Sequence, residues 1–266
     1  MAEVTVGDGF VRMVDTMPQV DLDAAVVQAA RVSYADGTKT SRSDEGLIRY
    51  LMRHWHNTPF EMVEFKFHIR MPIFVARQHL RHRTASVNEM SARYSIVPEN
   101  YYEPTEYRGQ SSTNKQSSEG TIEITDDLRA SLTSCQDWAF KLYGDLLHDG
   151  CSRELARCHL PQSTYTEFYW KINLHNLMHY LRLRMEPGAQ LEIREYAEAI
   201  YRLAVEKAPL TMRAFQDFRL NTIQLSGIEI ECIRTNTLPK SPGERREFMD
   251  KMERLGLKQN DCCDNN

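Results

Sequence analysis

Residues 77–95 read RQHLRHRTASVNEMSARYS and place four arginines and two histidines within seventeen positions of a chain whose net charge is −4. Arginine stays protonated at any working pH and offers a rigid fork of donors, so clustering several is costly unless an anion, a carboxylate or a π-face is at hand. The segment is a candidate anion site. None of the twelve glycines falls in G-x-G-x-x-G or G-x-x-x-x-G-K-[ST] spacing, so phosphates would be held by side chains. The stretch TASVNEMSARYS suits an extended loop with free backbone N–H groups, which also bind phosphate. His175 and His179 have the i, i+4 spacing of a metal pair, but Asn176 stands where the general base of a zinc protease would be. Two histidines on one polar helix face is the stronger reading, and no metal is expected. Cys158 and His159 are sequence neighbours and do not face each other on a helix, which argues against a thiol nucleophile.

The elements that must carry these residues are legible from periodicity. Residues 20–34 and 43–60 have amphipathic helical spacing, the second with Ser43 as N-cap and a proline stop. Val63, Phe65, Phe67, Ile69 and Met71 alternate with Glu64, Lys66, His68 and Arg70, which predicts a half-buried strand of antiparallel type. Pro72 fits the start of a helix over 73–83, on which Gln78 and Arg81 share a face while Arg83 lies round toward Ile73, Ala76 and Leu80. A second β-rich run covers 163–174, followed by a helix over 175–184 and a long helix over 189–209 ended by Pro209. Strands and helices mix without regular βαβ alternation, so the expected class is α+β. Residues 96–126 are polar with little period and read as a long mobile loop. The expected organisation is one domain over 1–220 and a C-terminal extension over 221–266, with a helix from Pro242 to Leu255 and a frayed tail.

A length of 266 residues allows a sizeable core, and a pI near 6.2 argues against a protein whose main business is coating nucleic acid. The N-terminus has no signal-peptide pattern and no apolar run is long enough to span a membrane. Six cysteines without C-x-x-C pairing predict free thiols in a reducing compartment, and a cytoplasmic protein.

Arg81, His82, Arg83 and, after seven residues, Ser91 resemble the signature of the flavin-dependent thymidylate synthases. HNTPFE, PIFVARQHLRHR, ELARCHLP and INLHNLMHYLRLR follow the order that family shows, and the resemblance covers Val4 to Phe218, with 96–126 longer than in compact members. It implies a mixed, largely antiparallel sheet with flanking helices, assembled as a homotetramer with active sites where subunits meet. The implied reaction is methylation of dUMP at C5, with methylenetetrahydrofolate giving the one-carbon unit and FAD, reduced by NADPH, giving the hydride. Positions matching the family's flavin contacts are Ser33, Thr58, Arg81, His82, Arg83, Glu89, Asn173, His175 and His179, with His56 a weaker match. Positions matching its nucleotide contacts are Gln78, Arg81, Glu89, Met90, Ser91, Ala92, Arg93, Arg157 and Arg184, some of them reaching the site from a neighbouring subunit. Ala92 stands where some members have Gly, and His179 where others have Asn.

Uracil C5 is a poor nucleophile until the ring gains electron density, and a guanidinium near N3 stabilises the anion that supplies it. Arg184 takes this role from its match to the LRLR segment; the plainer alternative is a cation at a helix C-terminus. Ser91 as a covalent nucleophile at C6 would need an adjacent base, so a phosphate hydrogen bond is the simpler role and a mechanism without an enzyme nucleophile is expected. The competing functions are another folate- and flavin-dependent uracil methylase and an arginine-rich nucleic-acid-binding module.

Overall fold

The computed structural model describes residues 2–33, 43–112 and 115–257. Contacts divide the chain into two compact units, Met1–Phe215 and Gln216–Asn266. The first opens on a hairpin of β1 (Glu3–Val6) and β2 (Gly9–Met17), followed by α1 (Leu22–Arg31), α2 (Asp44–Arg53) and the short α3 (Thr58–Glu61). Next come β3 (Glu64–Pro72), α4 (Ile73–His79), β4 (Ser86–Glu89), β5 (Tyr107–Gln110), β6 (Ser118–Ile122), α5 (Asp126–His148) and the short α6 (Arg153–Ala156). Then β7 (Tyr165–Asn173), α7 (Leu174–Arg184), α8 (Leu191–Lys207) and α9 (Pro209–Phe215) complete the unit.

The class is α+β, as the sequence indicates. Five strands form an antiparallel sheet in the order β1-β2-β3-β7-β4, with β3 at its centre. The period of two read at 63–71 is the reason: Phe65, Phe67, Ile69 and Met71 are fully buried while Lys66 is exposed. On β7 the same face carries Phe168, Trp170 and Ile172, with Trp170 opposite Phe67. Helix α8 packs on β1 and β2, α4 on β3 and α7 on β7, closing the core over that face. Gly9 is required where β2 passes under α8, because a Cβ there would collide with the Tyr196 hydroxyl and the Arg70 carbonyl.

Several elements differ from the periodic reading, each for a local reason. The 20–34 helix occupies Leu22–Arg31, with Asp21 capping Ala24 N at 3.1 Å; Tyr34 lies outside the described residues. The 43–60 helix breaks after Arg53 because Trp55 is left-handed at φ 61°, and a separate turn begins at Thr58. Helix α4 stops at His79, so Arg81 to Arg83 leave a tight turn and not a helix face. In an α-helix the His82 amide would take the Gln78 carbonyl; here it bonds to His79 O at 3.2 Å, and the Arg184 guanidinium takes Gln78 O at 3.4 Å. Ser86–Glu89 is an edge strand paired with β7, and Met90 N continues the ladder to Glu167 O at 2.8 Å, so every second amide of this stretch is spent on the sheet.

The polar stretch 96–126 is built and not a bare loop. Val97 N donates to Tyr143 Oη at 3.1 Å, Tyr102 N to Ser163 O at 2.9 Å, and residues 107–122 contain the β5–β6 hairpin. The long helix stops at Lys207, just before Pro209 as the sequence indicates, and Pro209 also opens α9, since proline at a first helical position loses no bond. The buried Asp23 carboxylate caps that helix, accepting from Leu210 N at 2.8 Å, Thr211 N at 2.9 Å and Thr211 Oγ1 at 2.6 Å.

The second unit contains α10 (Gly227–Thr235) and α11 (Pro242–Arg254), the latter where the sequence indicates a helix. A capping box between Ser226 and Glu229 starts α10, and Cys232, Phe248 and Met252 form a small core. Among the described cysteines, Cys135, Cys151, Cys158 and Cys232 are free; Cys262 and Cys263 lie outside the described residues. No described helix is long and apolar enough to cross a membrane.

Candidate active site

The turn after α4 meets the last turns of α7. Together they line a cavity of about 450 Å³ with Arg81, His82, Arg83, His179 and Arg184 around its polar part and Ile172 and Leu183 around its apolar part. Arg184 closes α7 and donates through Nε to His82 Nε2 at 3.1 Å. That bond requires the neutral imidazole with its proton on Nδ1. Burial, the Arg184 guanidinium and His179 hold the His82 pKa at about 4, so the acceptor form persists at physiological pH. His82 also lies edge-on to Tyr180 at 4.9 Å and to His179 at 5.9 Å.

Behind this layer His79 is fully buried, with Nδ1 3.0 Å from Tyr180 Oη and its ring 4.3 Å from that of Trp170. Desolvation, with His82 and Arg184 adding, drives its pKa down to about 3, and burial pushes the Tyr180 phenol up. Neither His79 nor Tyr180 is among the residues that the sequence pattern singles out. The signal that could have found the first is a histidine at an apolar position, three residues before His82.

Among the described residues, Arg81 and Arg83 carry no ion pair although both are cations on the cavity. Guanidinium groups without carboxylates, flat imidazoles and two aliphatic side chains suit a ligand that joins phosphates to an aromatic ring system. A flavin nucleotide has that chemistry, so the residues present fit it.

A second cavity, of about 200 Å³, lies where β4 runs out against β7 and α6. Glu89, Met90, Ala92 and Arg157 line it, with Ile73, Thr164 and Thr166. The Glu89 carboxylate accepts from Thr166 Oγ1 at 2.6 Å; β4 and β7 run antiparallel with Glu89 opposite Phe168, so the two are diagonal neighbours. Ser91 Oγ accepts from Arg93 N at 3.3 Å, and the Arg93 guanidinium pairs with Glu154 at 3.1 Å.

The structure thus sorts the residues singled out in the sequence. Arg81, His82, Arg83, His179 and Arg184 share the first cavity; Glu89, Met90, Ala92 and Arg157 share the second. Gln78 sits at the end of α4, its amide nitrogen donating to Gln190 Oε1. Asn173 caps α7 by accepting from Asn176 N at 2.9 Å, and His175 lies one turn before His179 on that helix. Ser33, His56 and Thr58 line neither cavity: Ser33 is exposed just past α1, and His56 and Thr58 are exposed around the start of α3. Thr84, Ile172 and Leu183 join the first cavity without a mark in the sequence, because their types carry no chemistry that spacing alone can flag, and Asn176, noted only as standing where a general base would be, joins it too.

Residues 12–210 match the family described as thymidylate synthase complementing protein. The chain is 53% identical over 232 residues to the flavin-dependent thymidylate synthase of Thermus thermophilus, covering 87% of this chain and 84% of that protein. It is 48% identical over 265 residues to the enzyme of that name from Dictyostelium discoideum, covering 96% and 87%. Among solved structures it resembles a UMP/dUMP methylase from Streptomyces cacaoi bound with 5-Br dUMP, at 38% identity and a TM-score of 0.71, covering 79% of this chain and 96% of that one. A crystal structure of the same methylase with 5-Br UMP gives 40% identity and a TM-score of 0.70. The R-H-R turn, the serine that ends its spacing and the histidine helix all fall inside the matched span, and on that extent of likeness the chain belongs to the flavin-dependent thymidylate synthases.

Proposed function

We propose that the enzyme converts dUMP to dTMP with methylenetetrahydrofolate as carbon donor and NADPH-reduced FAD as hydride donor, working as a homotetramer in the cytoplasm. The observation that carries the reading is the arginine-lined first cavity, in which Arg81 and Arg83 have no carboxylate partner among the described residues and Arg184 rests on a neutral His82. A reduced flavin held there would supply the hydride that completes the methyl group; Arg81 and Arg83 would hold its phosphates and His179 would offer a ring face. Glu89, Met90, Ala92 and Arg157 hold the nucleotide in the second cavity.

Arg184 stabilises negative charge at uracil N3, which raises electron density at C5. Its Nε is committed to His82 and its Nη2 reaches Gln78 O, so the guanidinium is held in one plane and Nη1 is left for the ring. Ser91 acts as a phosphate ligand. Glu89, the nearest carboxylate in sequence, is engaged by Thr166, which leaves Ser91 without an evident base and favours a reaction with no enzyme nucleophile. Arg81 and Arg184 line the first cavity and Glu89, Met90, Ala92 and Arg157 the second, so residues matching nucleotide contacts are split between two cavities of one chain, which supports a site completed by a neighbouring copy.

The neighbour named as a UMP/dUMP methylase favours a second reading, in which UMP is accepted as well. Purified enzyme supplied with methylenetetrahydrofolate, NADPH and FAD should release dTMP from free dUMP. Methyl transfer to UMP at a comparable kcat/KM would support the second reading, and transfer only to uracil in RNA would overturn both.

A further inference from the structure

The second cavity carries both signs of charge. Glu89 and Arg157 line it, and among the described residues neither makes an ion pair, although they share a cavity of only about 200 Å³. A carboxylate and a guanidinium that share so small a space without pairing suit a ligand with a hydroxyl donor at one end and an anion at the other. A sugar phosphate has that chemistry. The cavity is smaller than the pockets of about 300 Å³ and up that enclose whole small molecules, so it suits the sugar-phosphate end of a nucleotide.

Glu89 alone would guide such a ligand poorly, because it ends the exposed edge strand β4 and has a long side chain with many rotamers to lose. Thr166 removes that freedom. It lines the same cavity, is only 4% exposed, and lies in β7 opposite Met71 of β3, so its backbone is locked in the sheet and its β-branched side chain is restricted at χ1. Its hydroxyl donates to Glu89 Oε1 at 2.6 Å, and an ionised carboxylate only accepts, so the direction of that bond is fixed. Among the described residues no hydrogen bond or ion pair reaches Glu89 Oε2.

Once its phosphate is ionised, dUMP can offer a carboxylate either the N3–H of the ring or the 3′-hydroxyl. Arg184, to which N3 falls in the proposed function, lines the other cavity, so the 3′-hydroxyl is left for Glu89. We propose that Thr166 is a positioning residue: by holding Oε1 it leaves Oε2 of Glu89 set to accept from the 3′-hydroxyl, and the pair selects a mononucleotide whose 3′-end is free. Uracil within a polynucleotide is disfavoured by the same arrangement, since its 3′-oxygen is esterified and has no proton to give. The proposal rests on the assignment of Glu89 to the nucleotide.

The test compares the dissociation constants of dUMP and of 2′,3′-dideoxyuridine monophosphate, which lacks only the 3′-hydroxyl, by calorimetry on the FAD-loaded enzyme. The parent should prefer dUMP by roughly tenfold or more, the scale of one hydrogen bond to a charged group. Thr166→Val keeps the shape of the side chain and removes its donor. It should weaken dUMP by roughly tenfold and leave the dideoxy nucleotide unchanged, so that the preference collapses. Thr166→Ser, which keeps the donor, should keep the preference. Equal weakening of both nucleotides in Thr166→Val would overturn the proposal in favour of a packing role, and so would a preference that survives the change intact. A parent that binds both nucleotides equally well would remove Glu89 from the sugar and overturn the proposal through its premise, while leaving dTMP synthesis standing. A parent that binds neither would overturn the proposed function as well.

Discussion

Arg184 and His82 form the most constrained pair in the first cavity, and their chemistry sets two expectations. If Arg184 acts on the nucleotide ring, Arg184→Ala should lower turnover by roughly two orders of magnitude while NADPH still reduces the flavin at near its original rate, since the lost interaction belongs to the transition state of methyl transfer. Lysine should restore only part, keeping the charge without the planar fork. Stopped-flow reduction beside steady-state turnover checks this, and a parallel loss in both would move Arg184 to the flavin. His82 is lowered from its ordinary 6.5 to about 4 by burial and by Arg184, so the native state resists the proton that the unfolded chain accepts. Its contribution is then fully present above about 6.5 and lost as pH falls toward 4. His79 extends the loss toward 3. Thermal melts of flavin-free protein across that range should fall more steeply for the parent than for His82→Gln, and parallel curves would show that the pair does not carry the pH dependence.

Among the elements, β3 was legible by its alternation because one face is buried without exception, β7 by its β-rich composition, and α8 because a long helix averages over local detail. Arg81, His82 and Arg83 were legible as a cluster, but their geometry was not. Helix α4 has helix-forming residues past His79, but the chain tightens there into i→i+3 bonds, Arg81 N to Gln78 O at 3.3 Å and His82 N to His79 O at 3.2 Å, and the Arg184 guanidinium from α7, a hundred residues away, adds a contact to Gln78 O at 3.4 Å. Helix α5 went unread although its start is marked by Thr125, which caps Leu128 N at 3.2 Å, and by Asp126 and Asp127 in its first turn; Leu128, Leu132 and Trp138 along it are exposed, so no continuous buried stripe holds its first half. The β5–β6 hairpin is likewise polar in sequence and depends on the buried Arg108–Glu192 pair. Asp23 gives the sharpest stability test at this scale. It supplies three acceptor contacts to the start of α9, so Asp23→Ala should cost about 3 kcal/mol in chemical denaturation, while a loss under about 0.5 kcal/mol would mean that α9 is held by packing alone.

At the scale of the whole molecule, the two cavities of one chain separate Arg81 and Arg184 from Glu89, Met90 and Arg157, although all five match nucleotide contacts of the family. A homotetramer with shared sites predicts complementation: Arg157→Ala and Arg81→Ala proteins, each inactive alone, should regain activity after subunit exchange. No recovery despite demonstrated exchange would place both arginines in a site built from one chain. The central claim is that the arginine-lined cavity holds a redox-active flavin, and the visible spectrum of the purified protein addresses it most directly. The account predicts a yellow protein, or one that turns yellow on adding FAD, whose flavin band NADPH bleaches and whose affinity for FAD drops sharply in Arg83→Ala. A colourless protein that takes up no FAD, or an Arg83→Ala variant that binds it unchanged, would contradict the account.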